Sequence, residues 1–217
     1  YLQSHVLWHE WGHCNVVDRF DGEREAVVNF PYAYVRHAIL GEDLDAAFGH
    51  TLSRTGTWTI DNAAVDWMVR TYFRGGGEME ILGYVHKGYA KYADIVRLFG
   101  WDVIKGYHQK VQTDVYGLRL DEIEVFSDTC GEDMDLYKEQ VSVGPAAANT
   151  LTGTERRILH WSIEAGVDLT PLIHFWGRHP TDNGLLKEEL DARNIPLSSK
   201  IFVLLSRYVT LIPNSKK

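Results

Sequence analysis

A chain of 217 residues, 45% of them hydrophobic, is long enough to bury one substantial core and reads as a single domain over residues 1–217. Its net charge of −8, with acids and bases interspersed, excludes the basic face of a nucleic-acid binder. No apolar run reaches bilayer length, and two cysteines, Cys14 and Cys130, are too few for a disulfide scaffold.

The first predicted element is a helix over residues 4–17. Leu7, Trp11 and Cys14 fall at i, i+4 and i+7 and are expected to form its buried stripe. The same helix carries Trp8-His9-Glu10-Trp11-Gly12-His13. His9 and His13 lie one turn apart on one face, where both imidazoles can reach a single Zn²⁺ at about 2.0–2.1 Å. Glu10 falls beside the metal rather than on it, placed to take a proton from a metal-bound water. This is the HExxH pattern of a helix-borne zinc hydrolase; the competing reading is an amphipathic helix with surface histidines. His5, one turn earlier, lacks an adjoining Glu and reads as an outer or surface histidine. A hydrolase of this kind carries a β-sheet ahead of its metal helix, and none precedes His9 here. The chain therefore reads as the C-terminal part of a longer polypeptide.

Residues 18–22 read as a turn, followed by a helix over 23–40 that Pro31 should kink or break near Val28. A short helix over 43–54 comes next. Asp61 is the expected cap of a helix through residue 73, stopped by Gly75-Gly76-Gly77, which read as a linker or hinge. Helices over 89–99 and 101–111 join at Gly100, and another is predicted over 118–129. Residues 130–154 form an irregular stretch or insertion. Thr154 should cap a helix through 165, Thr170-Pro171 open one through 176, and helices over 181–193 and 198–210 close the chain. The expected fold is mainly α.

Two histidines leave zinc short of a third protein ligand. The metzincin arrangement is excluded, because Val16 and Arg19 stand where its glycine and third histidine belong. Asp18, Asp21, Glu23 and Glu25 all lie soon after His13, and periodicity does not choose among them.

His9-Glu10-x-x-His13, followed by Glu25-Ala-Val-Val-Asn29, resembles the M60 (enhancin-like) metallopeptidases, gluzincins in which a ligating Glu precedes an Asn by four positions. The likeness extends to Phe99-Gly100-Trp101-Asp102 and to Ser162…Gly166-Val-Asp168-Leu169…Phe175-Trp176-Gly177, where Asp168 replaces the usual Asn and Ile173 a common aromatic. The resemblance implies the helical C-terminal portion of a gluzincin catalytic domain, with Zn²⁺ held by His9, His13 and Glu25, Glu23 being the fallback. It also implies Glu10 as general base, a secreted or cell-surface setting, and protein or O-glycosylated, mucin-like glycoprotein substrates. Tyr84, His86, Tyr89 and His174 are available to assist at the oxyanion. The remaining histidines (His37, His50, His108, His160, His179) show no ligand spacing. The alternative is a catalytically silent relative of these peptidases that serves binding or assembly.

Overall fold

The computed structural model describes residues 4–16, 18–20, 22–54, 56–73, 88–111, 151 and 153–212. Among these residues the chain is helical and has no strand, with one isolated parallel bridge between Asp168 and Leu197. The mainly-α expectation therefore holds.

Helix α1 (His5–Asn15) starts at Ser4, whose hydroxyl accepts the Leu7 N–H at 3.5 Å. The second predicted helix is broken. Helix α2 (Arg24–Val27) stops at Val28, and α3 (Phe30–Tyr34) begins with Pro31 in its first turn. Proline offers no N–H to the turn before it, so the break falls where the sequence places it. A π-helical turn, Val35–Ile39, extends α3 towards Gly41. Helix α4 (Leu44–Ser53) is capped by Asp43, which accepts the Ala46 N–H at 2.7 Å.

Helix α5 (Ile60–Met68), continued by the π-helical turn Val69–Phe73, corrects one expectation. Its cap is Thr59, whose hydroxyl accepts the Asn62 N–H at 3.1 Å from extended backbone. Asp61 is already inside the helix and pairs with Arg207 instead. Helices α6 (Ala90–Phe99) and α7 (Trp101–Lys110) meet at Gly100, whose φ of +88° suits a residue without Cβ. Helices α8 (Gly153–Ala165), α9 (Thr170–Phe175), α10 (Asn183–Ala192) and α11 (Ser199–Thr210) follow. Thr154 lies within α8 rather than capping it, and α10 is capped by Asp182, two residues into its predicted range. The glycine linker at 75–77, the helix predicted over 118–129 and most of the stretch 130–154 lie outside the described residues.

Helix α6 is the hub. Residues 90–96 are buried on every side, and α4, α5 and α7 pack directly against it. Helix α8 packs on α7 and α10, and α11 packs on α5 and α9. Aromatic side chains tie the layers together: Tyr107 stacks on Trp161 at 3.7 Å between ring centres, and the Trp176 indole donates to Asp94 at 3.0 Å. The Ser162 hydroxyl accepts the Leu169 N–H at 3.0 Å, which turns α8 towards α9.

Helix α1 sits at the rim, packed on α3. Its expected buried stripe is not buried: Leu7 is 53% and Trp11 50% exposed, and Cys14 is exposed as well. The inward face carries Gly12, with His5, His9 and His13 partly covered. Size rather than hydrophobicity selects that face. A Cβ on Gly12 would lie 1.9 Å from the Val28 carbonyl oxygen, so α1 meets the α2–α3 break in backbone contact only through its glycine.

Candidate metal site

Backbone contact at Gly12 sets the site. It brings the turn of α1 that carries His9 and His13 against the segment that carries Glu25 and Asn29. His9 Nε2 lies 3.2 Å from His13 Nε2 and 3.3 Å from Glu25 Oε2, and His13 Nε2 lies 3.7 Å from the same carboxylate oxygen. These three are the one His/Cys/Asp/Glu group among the described residues whose ligand atoms converge closely enough to hold a metal ion.

Asn29 determines how His9 presents itself. Its Oδ1 lies 3.0 Å from His9 Nδ1, while its Nδ2 donates to the Glu25 and Ala26 carbonyls at 2.8 and 3.0 Å. The amide is thus oriented by the backbone, and its oxygen can only accept. His9 Nδ1 is then the donor of this hydrogen bond, which turns Nε2 towards His13 and Glu25. Burial lowers the His13 pKa despite the opposing pull of Glu25, which favours the neutral, ligating form. Two imidazole nitrogens and a carboxylate oxygen share one small space. The three could together hold a metal ion. The donor spacing also fits, since a tetrahedral zinc centre with bonds of about 2.0–2.1 Å has donors roughly 3.3 Å apart.

Glu10 follows His9 on the solvent side of α1 and is exposed. Its carboxylate makes no hydrogen bond or ion pair with the described residues, though its charge is felt at His13. It is therefore a carboxylate next to the convergent donors and not tied to any of them.

The other acids offered by the sequence lie elsewhere. Glu23 is fully buried, paired with Lys91, and accepts the Tyr92 hydroxyl at 2.5 Å. Lys91 is itself fully buried and held over the Tyr92 ring at 4.1 Å; burial brings its pKa down to about 8, against the pull of Glu23. Asp18 is bound by the Tyr107 hydroxyl and, at 3.1 Å, by Arg157. Asp21 lies outside the described residues.

Of the residues considered for the oxyanion, Tyr84 and His86 lie outside the described residues. Tyr89 is fully buried among Phe30, Phe48 and Tyr92. His174 is exposed beside His179, at 4.2 Å between rings. His50, by contrast, stands close to the site: its ring lies 3.8 Å from that of His5, with Tyr32 edge-on to both at 5.6 and 5.0 Å. His5 in turn reaches Asn29 Oδ1 through Nε2 at 2.8 Å. Helical spacing puts His5 near the metal face. Nothing in the sequence brings His50 there, because its approach depends on how α4 packs on α3.

Comparisons with protein-family models, curated proteins and solved structures return no match.

Proposed function

We propose that this chain is the helical portion of a zinc-dependent endopeptidase of the enhancin-like gluzincin type, hydrolysing peptide bonds in protein or glycoprotein substrates. The observation that carries the reading is the convergence of His9, His13 and Glu25, with Glu10 one residue from the first histidine and otherwise uncommitted. His9 and His13 would offer their Nε2 atoms to the metal and Glu25 a carboxylate oxygen. When bound, zinc brings the pKa of a water towards about 7 and polarises a carbonyl. Glu10 takes up the proton of the attacking water at its carboxylate, then returns it to the leaving amine. Asn29 keeps His9 in the tautomer that ligates. The preference for O-glycosylated, mucin-like substrates and the secreted or cell-surface setting rest on the family likeness alone.

Metal analysis and a single substitution test the reading. The purified chain should hold about one zinc, and Glu10→Gln within the intact polypeptide should keep that zinc while losing hydrolysis of a mucin-like glycoprotein. Cleavage by zinc-replete Glu10→Gln at the wild-type rate would sink the mechanism. A wild-type protein that holds zinc and cleaves nothing would point to the catalytically silent alternative.

A further inference from the structure

The carboxamide of Asn29 is 3% exposed and satisfied on both sides. Its Nδ2 is spent on two backbone carbonyls, and its oxygen, with two lone pairs, faces two ring nitrogens: His9 Nδ1 at 3.0 Å and His5 Nε2 at 2.8 Å. Flipping the amide would turn its NH₂ towards both histidines and its oxygen towards two carbonyl oxygens, so this orientation is the one the surroundings accept. His5 is braced in turn. Its ring lies against that of His50 and edge-on to Tyr32, so α3 and α4 together hold it in place.

We infer that His5 is a positioning residue for the His9–His13–Glu25 centre, acting through the shared oxygen of Asn29. Its Nε2–H occupies the second lone pair of Oδ1 with a fixed protein donor, where water would otherwise bind and exchange. The carboxamide is thereby pinned from the side opposite to its backbone anchors. A pinned Oδ1 holds the Nδ1–H of His9, and with it the direction of the His9 Nε2 lone pair. The contacts run His50, His5, Asn29, His9 and bind a ligand on the rim helix to the packed interior through α4. The inference rests on the metal reading above.

The test compares His5→Leu, which keeps bulk but has no donor, with His5→Gln, whose terminal amide can replace the Nε2–H. Zinc affinity is measured by chelator competition, site geometry by the visible spectrum of the Co²⁺-loaded protein, and packing by the melting temperature of the metal-free chain. His5→Leu should weaken zinc binding by about tenfold, the low end for an outer partner of a metal ligand. It should also shift the Co²⁺ bands and leave the metal-free melting temperature unchanged. His5→Gln should restore both affinity and spectrum. If the wild type binds zinc and His5→Leu binds it as tightly with the same spectrum, the role is refuted. It is equally refuted if both variants lose melting temperature and affinity together, since that marks a packing role. A wild type that binds no zinc overturns the metal reading itself, and this control separates the two failures.

Discussion

Glu23, at the cap of the short helix α2, and Glu25, in its first turn, end in opposite surroundings. Glu23 points into the core, fully buried and paired with Lys91 and Tyr92 of α6. Glu25 points outwards to His9 and His13, with its side chain 54% exposed. One is part of a closed polar knot in which every charge has a fixed partner. The other belongs to an open cluster in which two ring nitrogens and a carboxylate oxygen face one another. Buried charge is tolerated where partners are complete, whereas a site for an exchangeable ligand requires donors left incomplete by the protein. Positions two apart on a helical turn point to nearly opposite sides, so one acid faces the core and the other the rim.

The sharpest way to break this contrast is to remove each acid in turn. Glu25→Ala should reduce zinc affinity by more than the roughly 10–100-fold attached to an outer partner, with little change in stability. Glu23→Ala should strand Lys91 as an unpaired buried charge and lower stability by about 3–5 kcal/mol in denaturant titrations. A metal affinity lost on Glu23→Ala and kept on Glu25→Ala would reverse the assignment.

Gly12→Ala tests the contact that places the open cluster. The added methyl must displace the Val28 carbonyl, so a loss of about 1–3 kcal/mol is expected, together with weaker zinc binding. Unchanged affinity would mean that the histidines do not depend on this approach.

The interior can be probed by pH. Burial raises the Asp94 pKa from 3.8 to about 6, although Tyr208, Arg97 and Trp176 pull it back. The folded state therefore holds a proton that the unfolded chain gives up. The resulting stabilisation is complete below 3.8 and is lost as pH rises through 6. His108 works in the opposite sense: burial lowers its pKa from 6.5 to about 4, so its contribution is lost as pH falls through that range. Asp94→Asn should remove the first slope and His108→Gln the second in stability measured across the window. The smallest effect is expected at the rim, where Leu7→Ser should change stability by no more than about 0.5 kcal/mol. A larger loss would show that the outward face of α1 is covered in solution.

Much of the helix inventory was legible because it depends on local chemistry. Pro31 breaks and Gly100 turns through interactions within a few residues. Legibility failed at the start of α5, where Thr59 rather than Asp61 is the cap, and where helical spacing was used to choose a buried face. The apolar stripe of α1 satisfied the pattern, yet the steric demand of the Val28 carbonyl decided the outcome.

By itself, the sequence determined that His9 and His13 share one face of a helix with Glu10 beside them, since the helical repeat imposes this on any such spacing. Only the tertiary structure set Glu25 beside both histidines and Glu23 against Lys91, turned Gly12 inwards and set His5, Asn29 and His50 in line. Those outcomes depend on the distance and direction between backbones far apart in the chain, and no local repeat encodes them.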